Sequence, residues 1–370
     1  MKSIRRLRRS GLIVGLSVAL GAPAAVLASN EDQFGGLLRA RDLTPFGYLR
    51  LDMRPAHAIN ETRTGWALET ELAYQNTWAL SPQVEKYLTG LSGRRHLGPA
   101  DVQAIRDLPG ENYLVDLELA QLDVTVHYRM TPDWSAYLIL SGAHYGGGFL
   151  DSTIESFHHS FGFSTFGRTA AARNNRNVIL DLKSTQVAEL DMPSDTGLLD
   201  PTVGVRYSGL KLGDNWHVVL ESAVKIPIDG RRAMLSTGRY DFGVQATLQR
   251  FARHQALYLN VAAVYFDGST DIVPSDRQIV PTIIAGYEHR VAANTNVILQ
   301  AYASPSVYSK DETDLDELRG MKYQASLGVR HLWRNALLSF AITENLQNLN
   351  NTPDIGLQLG WTYVRGRRWD

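Results

Sequence analysis

A group of carboxylate and imidazole side chains has the spacing of one helix face. The group consists of Asp151, Glu155, His158 and His159. Because residues three or four positions apart are neighbours on a helix, a short helix would place them on one side. Such side chains suit a metal site, and a histidine beside a carboxylate can also activate a serine for hydrolysis. Three serines lie in the same stretch: Ser152, Ser156 and Ser160.

A third interpretation of this stretch is an amphipathic loop helix that packs on its neighbours. An apolar stripe runs beside the charged group: Leu150, Ile154, Phe157 and Phe161. No Ser-His-acid motif of a known kind is present, so we predict no catalytic set, no metal and no cofactor. An enzyme stays open, with His158, His159, Glu155 and Asp151 as its candidates.

In the segments before and after this stretch, apolar and polar residues alternate with a period of two. In residues 64–78, Trp66 and Leu68 lie on one face, while Glu69 and Glu71 lie on the other. Similar segments follow near 122–129, 134–145, 202–208, 216–226, 240–249, 256–266, 279–289, 323–330 and 355–363. This pattern predicts strands with one apolar and one polar face.

The links between these segments alternate between long and short. The long links lie near 79–112, 146–199, 229–238, 268–277, 307–320 and 346–353. The tight turns between them fall at 130–133, 212–215, 252–255, 291–294 and 333–336. Long loops on one rim and short turns on the other are typical of bacterial outer-membrane barrels. For residues 64–370 we therefore predict an all-β, antiparallel transmembrane β-barrel of about twelve strands, with long extracellular loops, including 146–199, and short periplasmic turns.

If the apolar faces meet lipid, the alternate residues face the lumen. The predicted lumen-lining residues are Glu69, Glu71, Asp123, His127, Arg129, Arg206, His217, Glu221, Lys225, Asp241, Glu288 and Arg330. Both signs of charge occur, so the sequence predicts no strong ion selectivity. The charges would line a water-filled channel or form a paired network that fills a narrow interior.

The N-terminal residues predict export. Residues 1–28 have a basic start, an apolar run and small residues before a cleavage site near Ala28/Ser29, which indicates a signal peptide. Residues 29–63 contain a turn signal at 44–47 and a brief alternation. Three roles stay open for them: a plug across the lumen, an extra strand or a periplasmic lead. The chain has no Cys, and its 37 basic and 38 acidic residues give no sign of a nucleic-acid partner.

One stretch resembles a known family. Its residues are Gly147, Gly148, Asp151, Ile154, Glu155, Phe157, His158, Phe161, Gly162, Gly167 and Arg168. They look like the signature of domain-of-unknown-function family 3187, and Lys225 with Pro227 is similar to a second feature of it. The resemblance implies an uncharacterised outer-membrane protein of a Gram-negative bacterium, with no activity or catalytic residue to carry over.

The predicted function is a narrow, porin-like channel or transport barrel for a small solute in the cell outer membrane. This function rests on the fold and the polar lumen rather than on a site. The expected partners are outer-membrane lipid, lipopolysaccharide and the barrel-assembly machinery. Two alternatives stay open: a lipid or lipopolysaccharide hydrolase that uses the 146–199 loop, and a structural or adhesion barrel.

Overall fold

The computed structural model describes most of the chain. The described residues are 34–39, 41–42, 44, 49–55, 65–228, 234–266, 278–347 and 352–363. The predicted signal peptide (1–28) and the C-terminal residues 364–370 lie outside them.

Fifteen strands form one sheet in the described part of the chain. They are β1 (Gly65–Leu80), β2 (Asn112–Arg129), β3 (Trp134–Gly146), β4 (Asn177–Asp181), β5 (Gln186–Glu189), β6 (Asp195–Leu198), β7 (Thr202–Lys211), β8 (Trp216–Lys225), β9 (Asp241–Phe251), β10 (Gln255–Phe266), β11 (Gln278–Ala292), β12 (Thr295–Ser304), β13 (Lys322–Trp333), β14 (Ala336–Gln347) and β15 (Ile355–Tyr363).

Twelve of these strands close into an antiparallel barrel. Each pairs with its neighbour along the chain, and β1 pairs with β15, so Leu72 lies opposite Leu359 on one side and Leu122 on the other. The other three, β4, β5 and β6, belong to the long loop after β3. They extend the sheet beyond the barrel, where β4 pairs with the start of β2 and β6 with the end of β3. The predicted all-β barrel of about twelve strands is confirmed.

The two faces of the wall differ as alternation requires. Leu122 on the outer face is 49% exposed, whereas Asp123 beside it is 1% exposed and faces inward. Because the side-chain period of a strand is two, a shift of one residue would exchange the faces. The links also alternate as predicted: β2–β3, β7–β8, β9–β10, β11–β12 and β13–β14 are joined by short turns at one rim.

The loops at the other rim form two apolar clusters. The first, here called the outer flank, packs α1 (Pro82–Thr89), α2 (Pro99–Arg106) and the loop after β3 against the outer ends of β1 and β2 around Trp78. The second, here called the mouth cluster, lies on the inner side of the same rim and includes Tyr113, Tyr145 and Tyr308.

The described residues also form α3 (Asp151–Phe161), the single turn α4 (Asp316–Arg319) and a short 3₁₀ helix at Arg168–Ala170. Among the helices that the described residues form, none has the length and apolarity needed to cross a membrane.

Candidate functional site

The barrel lumen is occupied by the chain's own N-terminal residues. We call the described residues 34–39, 41–42, 44 and 49–55 the inner segment. Phe34 stacks on Phe251 near the short-turn rim, and Lys225 near the long-loop rim donates to the carbonyl oxygen of Leu49 at 2.6 Å. The inner segment therefore runs the length of the lumen.

Backbone groups of the inner segment bond to side chains of the wall. The Glu288 carboxylate accepts from the N–H groups of Gly35 and Gly36, each at 3.0 Å. Gln300 accepts from Leu38 N–H at 2.9 Å, and Asp241 accepts from Leu51 N–H at 2.8 Å. An irregular backbone removed from water needs such partners, so the polar wall satisfies the segment in place of a neighbouring strand.

Arginines of the inner segment pair with the carboxylates of β1 and β2. Arg39 binds Glu69 through Nε at 3.0 Å and Nη2 at 2.8 Å. Arg41 Nη2 lies 2.8 Å from Glu71, and its Nη1 contacts Asp123. This two-pronged geometry gives arginine–carboxylate pairs both strength and orientation.

Two more ion pairs hold the inner segment in the lumen. Arg54 Nη2 lies 3.1 Å from Asp123, which thus binds two arginines. Asp42 pairs with Lys322 of β13, whose ammonium group also donates to the Thr44 hydroxyl at 3.0 Å. All these charges are buried, and removing one partner of such a pair costs about 3–5 kcal/mol because the other charge is left unpaired.

The structure places eleven of the twelve predicted lumen residues in buried positions. These are Glu69, Glu71, Asp123, His127, Arg206, His217, Glu221, Lys225, Asp241, Glu288 and Arg330. Arg129 is half-buried and donates to carbonyl oxygens of the turn after β2. Some pairs lie within the wall itself, as between Arg206 Nε and Glu221 at 2.7 Å.

Sequence reasoning did not find the partners on the inner segment. Arg39, Arg41, Asp42, Arg50 and Arg54 all touch the wall or its polar groups. Their signal was available as a dense run of charges in residues 39–54, which is unusual for a simple lead into a barrel. Lys322 was missed because it begins its strand, one residue before the segment with clear alternation.

Small polar cavities remain beside the inner segment. One of about 60 Å³ is lined by Arg50, Asp52 and Lys225, among others, and one of about 30 Å³ lies by Arg39 and Glu71. Each has room for only a few water molecules. Above them, the mouth cluster packs against Leu49 of the inner segment.

The carboxylates of the 151–159 group are bound by arginines. Asp151 lies 2.6 Å from Arg168 Nη1 and accepts from the N–H of Asn174 at 2.8 Å. Glu155 lies 2.7 Å from Arg94 Nη2 and also contacts Arg173. Burial alone would raise the pKa of Glu155, but hydrogen bonds from these arginines bring it below its ordinary value. Both acids thus hold α3 against the outer flank.

The histidines of this group lie apart from those acids. His158 is half-buried and contacts the carbonyl oxygen of Ser164 through Nδ1 at 2.7 Å, while His159 is exposed. Ser156 and Ser160 each donate to a backbone carbonyl of α3. Over the described ranges, no group of three or more His, Cys, Asp or Glu side chains is arranged to hold a metal ion.

The family model described as "Protein of unknown function (DUF3187)" matches residues 108–364. The chain therefore belongs to this family, which confirms the resemblance carried by residues 147–168. Among proteins with curated functions, no sequence match was found.

Several solved structures are similar to parts of this chain. The COG4313 outer membrane channel from Pseudomonas putida F1 has a TM-score of 0.48 at 11% identity, covering 81% of this chain and 95% of that one. The KdgM porin has a TM-score of 0.38 at 4% identity, covering 80% and 98%. A Pseudomonas aeruginosa FadL homologue has a TM-score of 0.35 at 11% identity, covering 91% and 98%.

Proposed function

We propose that the chain is an outer-membrane transport barrel for a small polar solute, closed at rest by its inner segment. The observation that carries this proposal is the course of the inner segment, which fills the lumen yet is held there by side-chain contacts rather than by strand pairing. A segment held in this way can leave without any break in the barrel wall.

The location follows from the two faces of the wall. The outer face is apolar, and aromatic residues such as Trp66, Trp134 and Trp333 stand exposed near the short-turn rim, as in the interfacial girdles of membrane barrels. With cleavage near Ala28/Ser29, the mature chain would reach the outer membrane of a Gram-negative bacterium. There it would meet lipopolysaccharide and the barrel-assembly machinery.

The lumen supports a small polar solute rather than an apolar one. Once the inner segment leaves, the carboxylates of Glu71, Asp123 and Glu288 and the cations of Lys225 and Arg330 would face the path. Water can hydrate these groups, so the open state needs no new protein contact. The mixed signs favour a solute that is neutral or zwitterionic over a single class of ion.

The hydrolase interpretation has less support in the geometry. A histidine that acts as a general base needs a serine within hydrogen-bond reach and a group that orients its ring. His158 instead contacts a backbone carbonyl, and Asp151 and Glu155 bind arginines. A purely structural or adhesion barrel would not require a polar lumen with a removable occupant.

Conductance in planar bilayers tests the proposal. We expect the mature chain to conduct rarely and the variant that lacks residues 34–55 to conduct steadily in discrete steps. As a matched control, Leu38→Cys with Ala341→Cys places two thiols in one apolar cluster of the lumen. Because the chain has no Cys, a short cleavable cross-linker would join this pair alone and should abolish openings until it is cleaved.

The outcome that overturns the proposal is equally specific. A correctly folded barrel without residues 34–55 that stays silent would exclude the transport path through the lumen. Openings that persist at the same frequency in the cross-linked variant would show that the inner segment does not close the path.

A further inference from the structure

A cavity of about 590 Å³ lies outside the barrel wall, between α3 and the upper ends of β14 and β15. Its volume is within the range of about 300–1,000 Å³ that small-molecule sites have. It is separate from the lumen, because most of the strand residues that line it belong to the outer face. Ile342 and Glu344 of β14 and Ile355 of β15 are three of these.

The walls of the cavity are mainly apolar. They are formed by Ile154, Phe157, Phe163, Phe166, Ile342 and Ile355. Phe157 is 50% exposed and stands 4.7 Å, between ring centroids, from Phe161, which is 65% exposed. Exposed aromatic clusters of this kind on one side of a protein mark contact with lipid or with an apolar ligand.

The cavity continues the lipid-facing surface of the barrel. Below it, Leu338 and Phe340 of β14 and Leu359 of β15 are exposed on the same outer face. A hydrocarbon dissolved in the outer leaflet could therefore enter the cavity sideways without crossing water. This geometry gives the apolar part of the ligand.

The polar residues at one end of the cavity indicate the head group of the ligand. Glu344, Asp354, His158 and Ser164 line the cavity at the end that faces the loops. Asp354 forms an ion pair with Arg168. Arg168 also pairs with Asp151, so two carboxylates share this one guanidinium group, and Glu344 adds a third acid nearby. A carboxylate or phosphate head would be repelled here, whereas a hydroxyl or ammonium group could donate to Glu344.

Ion pairs and hydrogen bonds on the side of α3 away from the cavity hold this helix in place. Asp151 and Glu155 fix α3 by their arginines, and Glu118 of β2 accepts from the N–H groups of Phe149 and Leu150 at 3.0 and 2.8 Å. These contacts bury the acidic side of α3 and leave Phe157 and His158 turned to the cavity. The residues that resemble the family signature therefore divide into a support and a lining.

From this geometry we infer that the cavity under α3 is a binding site for a membrane-dissolved amphiphile with one hydrocarbon body and a hydrogen-bond-donating head, an amine or an alcohol. The hydrocarbon lies between Phe157, Phe163 and Ile342. The head meets Glu344. The site faces the outer leaflet and does not depend on the opening of the lumen.

Binding of radiolabelled dodecylamine to the mature chain in phosphatidylcholine vesicles tests the inference. We expect saturable binding with one site per chain above the lipid background. Unlabelled dodecanol should compete, and dodecanoate should compete at least tenfold more weakly. Glu344→Gln should weaken dodecylamine binding several-fold and should narrow the gap between amine and carboxylate.

A steric variant and its matched control complete the test. Ile342→Trp should fill the cavity and reduce binding at least tenfold, whereas Leu338→Trp, on the same face of the same strand but outside the lining, should leave binding unchanged. The gel mobility of unheated samples verifies that each barrel is folded. Absence of a saturable component, equal competition by dodecanoate, or normal binding by a folded Ile342→Trp variant would each overturn the inference.

Discussion

At the scale of single residues, Gly147 decides how closely the loop after β3 folds on itself. A Cβ atom there would lie 1.8 Å from the carbonyl oxygen of Asn174, so any side chain forces the two backbone strands apart. Asn174 also donates to Asp151, and this contact would break. We expect Gly147→Ala to loosen the attachment of α3 by about 1–3 kcal/mol, the usual cost of overpacking.

Limited trypsin digestion measures this effect. Arg173 and Arg176 lie in the affected loop, and their cleavage should become at least about fivefold faster in Gly147→Ala, as a change of about 1 kcal/mol implies. The matched control is Gly142→Ala in β3, where the nearest atom to a new Cβ is 3.7 Å away. Equal cleavage of the two variants would contradict the argument.

At the scale of elements, Asp101 ties α2 to the rest of the outer flank. Its carboxylate accepts from Arg95 at 2.7 Å, from Tyr87 OH at 2.5 Å and from Gly98 N–H at 2.8 Å. Hydrogen bonds from Arg95, more than any other cause, lower the pKa of Asp101 to about 2, against an ordinary value of 3.8. Because the pKa is lowered by folding, the stabilisation is complete above about pH 5 and is lost as the pH falls towards 2.

Hydrogen exchange tests whether the Asp101 carboxylate stabilises α2 and over which pH range this stabilisation is lost. At pH 6, Asp101→Asn should speed exchange in residues 99–106 by about fivefold, for a loss of about 1 kcal/mol. At pH 2 the difference in exchange rate between the variant and the unmodified chain should be much smaller, since the carboxylate is then about half protonated and most of its stabilisation is lost. Amides of β9 and β10 serve as the internal control. A ratio that does not change between the two pH values would exclude this role of the carboxylate.

The strands could be predicted from the sequence because each carries its own signal. In β9, Phe242 and Val244 are exposed while Asp241 and Gln245 are buried, and a register shifted by one residue would place the polar pair in lipid. The sequence of each strand thus encodes locally which side chains face lipid and which face the lumen. The barrel could also be predicted, because links between antiparallel neighbours lie at opposite rims in turn, so short turns at one rim and long loops at the other alternate along the chain.

The contacts that complete the two sites could not be predicted in the same way. The spacing of Asp151 and Glu155 predicts a helix, and α3 is one, but only the fold brings Arg94, Arg168 and Arg173 to these acids. The inner segment has only a brief alternation, too short to predict its course through the lumen. Asp42 meets Lys322 across 280 positions of the chain, so no local pattern reports the pair.

At the scale of the whole molecule, the barrel and its inner segment stabilise each other through matched charges. The wall alone is a closed set of strand pairs, so the barrel does not need the segment in order to close. The segment, in contrast, has no regular structure of its own to keep it in place. Single substitutions in the wall should therefore release the segment while they leave the barrel intact.

Lys322→Met provides this test, because it leaves the Asp42 carboxylate buried without its cation. Such a loss costs about 3–5 kcal/mol, and much of it is recovered if the segment moves into water. In a Leu38→Cys background the new thiol is the only one in the chain, and Leu38 is buried in the lumen. We expect labelling by a water-soluble maleimide to become at least about tenfold faster in Lys322→Met.

The double variant separates charge matching from simple loss of a contact. Lys322→Met together with Asp42→Leu removes both charges and leaves two apolar side chains of similar size, a replacement that buried ion pairs often tolerate without loss of stability. Labelling of the introduced thiol should then return most of the way to the slow rate.

If the double variant labels as fast as Lys322→Met alone, the inner segment is held by the ammonium group itself. If Lys322→Met labels no faster than the parent, this charge pair does not hold the segment, and its backbone contacts with Glu288, Gln300 and Asp241 are sufficient. Either result would contradict a segment held in the lumen by matched charges.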